Sequence, residues 1–216
     1  MIPPERLASL QASWIQLLAH FGASPADAYP VFHRLVSAHS ESHRHYHTLE
    51  HLSEMFKVAA KLVDGAADPA AIQLAIWFHD AVYDPRSTDN EHRSAVLAAG
   101  LLHPLGVPEP TLEHIAAMIR ATAHNSLAPS DADTDVLLDA DLAILGAEER
   151  RYSRYAADIR REYDWVDDAA YRAGRTKVLE GFLSRPRIYR TERMFSAAET
   201  SARRNLRREI EQLRNL

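Results

Sequence analysis

The chain has 216 residues, of which 46% are hydrophobic and 25% are charged, and its formal net charge is −5. This composition is typical of a globular protein and excludes a disordered chain, while the length suits one sizeable core. The absence of cysteine excludes disulfides, iron–sulfur clusters and thiolate zinc sites, so imidazole and carboxylate groups must hold any metal. No apolar run approaches the ~20 residues that cross a bilayer, and the N-terminus does not resemble a signal peptide, so we expect a cytoplasmic protein without a membrane partner.

Helical spacing of apolar residues dominates the sequence. Leu7, Leu10, Trp14 and Leu17 recur at intervals of three and four, as on one face of a helix. Clusters of Pro, Gly, Asp and Ser separate such stripes. The predicted helices lie near 5–20, 26–39, 48–63, 69–80, 88–102, 109–123, 134–145, 148–163, 167–183 and 191–214. The sequence therefore predicts an all-α fold, a single helical bundle over 1–216 with short connections.

Two of these helix starts carry capping residues. Ser24 stands directly before Pro25, and Asp68 stands directly before Pro69. A side-chain oxygen at the N-cap followed by proline at the first helical position is typical of a helix N-terminus. We therefore predict that both residues cap the helices that follow them.

Five histidines fall within the segment 39–51. Two of them, His47 and His51, are four residues apart, so they can lie on one side of a helix that begins near Thr48. Two imidazoles on one face are suited to a metal ion. The alternative is an ordinary polar helix start with surface histidines.

His79 and Asp80 end a strongly apolar helical run. A His–Asp pair is expected by chance in a chain of this composition. The prediction of a metal site therefore rests on the position of this pair at the end of the apolar run. An imidazole and a carboxylate at the end of a core helix are costly to bury without partners, and a divalent cation compensates both.

Asp139 and Asp141 interrupt another apolar helix. Residues two apart on a helix point roughly 200° away from each other, so both cannot face one site. One is predicted to be a ligand and the other a structural group. The alternative is that both are exposed acids near a helix start.

These three elements, in this order on a helical chain, resemble the HD superfamily of metal-dependent phosphohydrolases. The elements are Tyr46-His47-x3-His51, His79-Asp80 and Asp139-Ala-Asp141. The chain is most similar to a bacterial subgroup of predicted HD phosphohydrolases. The motifs that carry this similarity are Tyr46-His47 and the segments 78–85 and 90–95. The likeness covers 43–146 and continues through 161–165 and 187–191, which is nearly the whole chain.

The resemblance implies one divalent metal ion, which Mn, Fe, Co, Ni, Zn or Mg could supply. The implied ligands are His51, His79, Asp80 and Asp141. Asp141 is preferred to Asp139 because the superfamily ligand is the later acid of an Asp-x-Asp element. The resemblance also implies a metal-site core over 43–146, with C-terminal helices over 148–216 packed on it.

Two residues are implied to be catalytic. His47 matches the histidine that protonates the leaving oxygen in the phosphodiesterase branch, which makes it a candidate general acid. Asp84 follows the His–Asp pair at the position where other members place an acid that orients or deprotonates the attacking water. The alternative for Asp84 is a turn residue before Pro85.

Further residues are candidates for contacts with the ligands or the substrate. They are Glu91, Ser94, His124, Asp139, Lys177, Arg187 and Arg190. For Glu91 and Ser94 the alternative is a pair on a helix surface, and for His124 it is a core histidine. The three basic residues are alternatively surface or ion-pair residues.

The expected partner is a small phosphorylated substrate, nucleotide-like in character, and the C-terminal helix packs either on the body or on a second copy in a homodimer. One alternative is an HD-fold diiron oxygenase that uses His124 with His103 or His114. Another is a ligand-binding or nucleic-acid-binding module with a structural metal and an arginine-rich helix over 202–216. Nine Arg and four Glu at 185–215 leave a charge of −10 elsewhere, which disfavours nucleic acid and leaves a solvated, ion-paired helix as the simpler interpretation.

Overall fold

Ten α-helices build the fold of the described residues, 2–123 and 131–215 of a computed structural model. They are α1 (Pro4–Ala19), α2 (Pro25–Ala38), α3 (Leu49–Leu62), α4 (Pro69–Phe78), α5 (Asn90–Leu102), α6 (Glu109–Ala121), α7 (Ala132–Asp141), α8 (Glu149–Glu162), α9 (Asp168–Leu183) and α10 (Glu192–Asn215). Short 3₁₀ turns extend α3, α5 and α7 at Val63–Gly65, His103–Leu105 and Leu142–Gly146. This part of the chain contains no strand, which confirms the all-α prediction, and none of its helices is long and apolar enough to cross a bilayer.

The helix starts follow the capping residues. Ser24 and Asp68 each accept a hydrogen bond from the backbone N–H three residues further on, which confirms both predicted caps. Thr48 caps α3 by accepting from a backbone N–H at 3.3 Å. Because this cap fixes the start of α3 at Leu49, His51 lies in the first helical turn.

The main apolar core surrounds α4. Residues 74–78 are all buried, and a helix that is apolar on every side belongs in the centre of a bundle. Trp77 packs edge to face with Trp14, with 5.5 Å between ring centroids, and 5.8 Å from Phe32. As a consequence, His79 and Asp80 directly follow the helix at the centre of the core.

A second apolar cluster joins the C-terminal helices to the 3₁₀ turn after α7. Leu179, Tyr189 and Leu206 are fully buried in it. Gly146 lies at the closest approach, where a Cβ atom would come within 2.7 Å of a side-chain atom of α10. Only glycine fits there, so the C-terminal helices hold the segment that follows Asp141.

The α7 helix ends earlier than its apolar pattern predicts. A helix was predicted over 134–145, but the α-helix stops at Asp141 and tightens into the 3₁₀ turn. The buried hydroxyl of Tyr189 donates to the backbone carbonyl of Leu142 at 3.1 Å. Because this carbonyl, the first after α7, bonds to a side chain, the continuation of the α-helix is not required to satisfy it.

Arginines of α10 form ion pairs within the chain. The pairs are Arg203 with Glu199 at 2.7 Å, Arg208 with Glu149 at 2.7 Å and Arg214 with Glu180 at 2.6 Å. Such pairing agrees with the alternative in which the basic segment is a solvated, ion-paired helix. Three guanidinium groups of α10 bind acidic side chains of the same chain.

Candidate metal centre

Three helix ends converge between α3, α4 and α7. His51 lies in the first turn of α3, His79 follows the last residue of α4, and Asp141 is the last residue of α7. One ligand atom from each lies within 4.8 Å of the other two. Oδ1 of Asp141 is 3.2 Å from Nε2 of His51 and 3.8 Å from Nε2 of His79. The structure thus brings together a buried group that could hold a metal ion.

Asp80 adds a second carboxylate from the turn after α4. Its Oδ2 lies 3.0 Å from Nε2 of His79. Burial opposes ionisation of Asp80, but the nearby His79 and His47 lower the pKa of this carboxyl well below its usual value. Asp80 is therefore ionised at neutral pH, as a metal-binding carboxylate must be.

One nitrogen of His79 is committed to the backbone. Nδ1 lies 2.9 Å from the carbonyl oxygen of Ile76, and since a carbonyl only accepts, Nδ1 carries the hydrogen and donates it. Nε2 is therefore the nitrogen that faces Asp80 and Asp141. Burial opposes a charge on His79, but these two carboxylates raise its pKa to about 9. The surroundings of Nε2 thus favour a bound cation, either a proton or a metal ion.

The residues of this group fit a divalent cation. The Nε2 atoms of His51 and His79 are buried and lack a hydrogen bond of acceptable geometry, although carboxylate oxygens lie close to both. Such atoms are rare in folded proteins. A cation among them would satisfy both nitrogens, and the two carboxylates would balance a 2+ charge. Burial also lowers the pKa of His51, which favours the neutral imidazole that binds metals.

His47 lies beside the group, with its ring centroid 6.0 Å from that of His51. Its Nδ1 is 2.6 Å from Oε2 of Glu162, and the side chain remains 20% exposed. Burial opposes a charge on His47, but Asp80 and Glu162 raise its pKa. Because Nδ1 is committed to Glu162, Nε2 is the nitrogen that another molecule can reach.

Glu162 organises the segment that carries His47, and the sequence patterns did not single it out. Its Oε1 accepts from the backbone N–H groups of His45, Tyr46 and His47, at 2.7, 2.7 and 3.0 Å. Its Oε2 accepts from His47 and, at 2.8 Å, from the hydroxyl of Tyr83. Burial alone would raise the pKa of Glu162, but His47 and the backbone donors bring it down to about 2. One buried carboxylate thus fixes both the loop and the ring of His47.

The sequence does contain a signal for Glu162. Tyr152, Tyr155, Ile159 and Glu162 are spaced by three, four and three residues, which places the glutamate on the buried stripe of α8. The helix dipole disfavours a carboxylate in the last turn of a helix, and burial disfavours it further. A glutamate in such a position requires donors from elsewhere in the fold.

Arg44 ties the His47 segment to the turn that carries Asp80. Its buried guanidinium donates to the backbone carbonyl of Asp80 at 2.7 Å and to that of His47 at 3.3 Å. It also donates to Glu41 at 2.9 Å. The main chains of His47 and Asp80 are therefore held at a fixed separation.

The loop after α4 is fastened to α5. The buried hydroxyl of Ser94 accepts from the backbone N–H of Val82 at 3.0 Å and donates to its carbonyl at 3.2 Å, so Ser94 is not a surface partner of the partly buried Glu91. Asp84 is exposed, and its Oδ1 accepts from the backbone N–H of Arg86 at 2.9 Å. This contact is the one expected if Asp84 is a turn residue before Pro85. The catalytic role of Asp84 stays a prediction.

Asp139 is buried and binds a different part of the fold from Asp141. Its carboxylate accepts from the backbone N–H groups of Arg190 and Thr191 at 2.7 and 2.8 Å, and from the Thr191 hydroxyl at 2.6 Å. Burial raises the pKa of Asp139 against the effect of these donors. Asp139 therefore links α7 to the segment that precedes α10.

Replacing Asp139 by alanine is expected to lower the free energy of unfolding by about 2–4 kcal/mol, because three donors lose their acceptor in the interior. The metal content per chain is expected to stay the same. Asp141→Ala is the matched control, in which the metal content falls with a smaller loss of stability. Chemical unfolding and elemental analysis measure both quantities, and loss of the metal from folded Asp139→Ala protein would show that the two roles are reversed.

The two arginines that were predicted to contact the substrate are paired with carboxylates. Arg187 and Arg190 form ion pairs with carboxylates of α10 and α7, at 2.6 and 3.2 Å, and Lys177 is exposed on α9. None of these ion pairs involves a predicted metal ligand. His124 lies outside the described residues.

A second histidine–aspartate group lies at the start of α7. It consists of His114, Asp131 and Asp133. Its carboxylates already have structural contacts, because Asp131 caps α7 and Asp133 accepts from two backbone N–H groups at 2.7 and 3.0 Å. His103 is exposed after α5. Neither His103 nor His114, which the diiron alternative invokes, belongs to the His51 group.

Comparisons of the chain with protein-family models, with curated proteins and with solved structures find no match. The chemistry of the site therefore rests on its own residues. Those residues support an all-helical protein with a buried histidine–aspartate group that fits a divalent metal ion, and with one further histidine held beside that group by a buried glutamate.

Proposed function

We propose that this protein is a metal-dependent phosphohydrolase of the HD superfamily that cleaves a nucleotide or another small phosphoester. The observation that carries the proposal is the convergence of buried imidazole and carboxylate groups at three helix ends, with two Nε2 atoms left without hydrogen bonds. The residues that would hold the ion are His51, His79, Asp80 and Asp141. When bound, a divalent cation supplies Lewis acidity to a phosphoryl group and makes water more acidic.

His47 has the properties of a general acid in this proposal. Its Nδ1–H donates to Glu162 at 2.6 Å, which orients Nε2–H toward the bound phosphoester. The raised pKa of His47 helps it to keep this proton near neutral pH until the leaving oxygen takes it. Asp84, in the turn after α4, is the proposed acid that orients the attacking water.

Phosphate release from a substrate panel tests the proposal. The purified protein is analysed for metals, stripped with a chelator and assayed against nucleoside monophosphates and common phosphomonoesters with each candidate metal. The expected result is phosphate release that stops on chelation and returns with one of the metals, without oxygen consumption. Oxygen uptake in place of phosphate release, or no release with any metal and substrate, would contradict the proposal.

A further inference from the structure

A cavity of about 1080 Å³ adjoins the His51 group. His51 itself lines this cavity, and so does Tyr46, whose ring centroid lies 4.8 Å from that of His51. Cavities of this size take ligands as large as a nucleotide. The protein therefore has room for the body of a substrate beside the metal centre.

The first two turns of α8 also line the cavity. Tyr155 of this helix packs edge to face on Tyr46, with 4.6 Å between ring centroids. Arg151, one turn earlier on α8, forms an ion pair with Glu54 of α3. Since Glu54 follows His51 by three residues, the two side chains are neighbours on one side of α3. These two contacts hold the start of α8 next to the His51 group.

Electrostatic effects on Tyr46 agree with this arrangement. Burial and Tyr155 raise the pKa of the Tyr46 hydroxyl, and Asp141 raises it further, whereas Arg151 lowers it. Because such effects weaken with distance, a carboxylate of the proposed metal site and an arginine of α8 both act on this hydroxyl from nearby. Tyr46 therefore lies close to both the metal centre and α8.

Two arginines of the cavity wall lack an acidic partner. The lining acidic residues that pair with an arginine are Glu41, Glu50, Glu54 and Asp158. In the part of the chain that the structure describes, the lining charged residues without an ion pair are Arg150, Arg154 and Glu148. Arg150 and Arg154 are exposed and four residues apart, so they lie on one side of α8. The cavity thus offers two guanidinium groups to an anion.

From this juxtaposition we infer that Arg150 and Arg154 bind a second phosphate group of the substrate, while the first lies at the metal centre. The inference rests on the proposed function. Two guanidinium groups balance the charge of a phosphate dianion, and their N–H groups donate to its oxygens. The substrate class is therefore a phosphoester with two phosphate groups, such as a nucleoside diphosphate or bisphosphate, and not a monophosphate.

Phosphate release from ADP, adenosine 3′,5′-bisphosphate and AMP tests this specificity. At least one of the two compounds with a second phosphate is expected to have a higher kcat/KM than AMP in the wild type. The double variant Arg150→Gln/Arg154→Gln is expected to lower that preference by about tenfold. Arg120→Gln is the matched control, because Arg120 is an exposed arginine on α6 that does not line the cavity. Equal kcat/KM values for the three compounds, or a preference that survives in the double variant, would overturn the inference.

Binding of inorganic pyrophosphate separates the subsite from the reaction. Calorimetric titration of the chelator-treated protein is expected to show saturable binding to the wild type and to Arg120→Gln, and about tenfold weaker binding to the double variant. Equal affinities in the wild type and the double variant would overturn the inference. Arginine-dependent binding without hydrolysis of any substrate would contradict the proposed function alone, whereas hydrolysis without an arginine-dependent preference would contradict the subsite alone.

Discussion

Asp80→Ala is expected to lower metal-dependent phosphate release by about 10³-fold or more, because the site loses a ligand and half of the negative charge that balances a divalent ion. The fold is expected to survive. Arg44 donates to the backbone carbonyl of Asp80, which alanine retains, and Nδ1 of His79 keeps its contact with Ile76. Initial rates, metal content and circular dichroism of the variant measure these effects.

His114→Ala is the matched control for Asp80→Ala. It also alters a histidine–aspartate group, the one formed with Asp131 and Asp133, but leaves the His51 group untouched. Its phosphate release and metal content are expected to equal those of the wild type. Full activity of folded Asp80→Ala, or loss of activity in His114→Ala alone, would place the chemistry elsewhere.

Glu162→Gln is expected to lower kcat by about 10²-fold for substrates with a poor leaving group. A glutamine oxygen still accepts from the three backbone N–H groups of 45–47, but its amide nitrogen cannot accept from Nδ1–H of His47. Because Glu162 helps to raise the pKa of His47, the alkaline limb of the rate profile is expected to move to lower pH. With p-nitrophenyl phosphate, whose leaving group needs no proton, kcat is expected to stay near the wild-type value.

Glu162→Ala separates positioning from folding. Alanine leaves the three backbone donors of 45–47 without an acceptor in addition to freeing His47, so the free energy of unfolding is expected to fall by about 3 kcal/mol or more. Chemical unfolding is expected to show Glu162→Gln much closer to the wild type. If the glutamine variant lost activity equally on both kinds of substrate, Glu162 would have a structural role only.

The fold could be predicted from local patterns to a large extent. Each of the ten predicted helices corresponds to one observed helix, since apolar spacing and punctuation act over a few residues. The N-caps Ser24 and Asp68 predict the starts of their helices for the same reason, since each cap contacts a residue only three positions away. The early end of α7 could not be predicted, because the first carbonyl after the helix binds Tyr189, a side chain that is 47 positions away.

The residues of the candidate site also fall into those that local patterns predict and those that depend on distant parts of the chain. The residue patterns selected His51 by its spacing from His47 and His79 by its place at the end of an apolar helix. They left Asp139 and Asp141 as alternatives, and the family resemblance favoured Asp141. The structure brings His51, His79 and Asp141 together. Glu162 binds a segment 115 to 117 residues earlier in the chain, and no spacing rule connects positions so far apart. The contact of Ser94 with Val82 could not be predicted for a related reason, because Val82 lies on a loop whose path the sequence does not specify.

Anomalous diffraction from crystals grown with Mn²⁺ locates the metal ion independently of any activity. We predict one strong peak per chain, within bonding distance of Nε2 of His51, Nε2 of His79 and the carboxylates of Asp80 and Asp141. A peak between His114, Asp131 and Asp133 instead, or no peak at the ends of α3, α4 and α7, would contradict this assignment of the metal site.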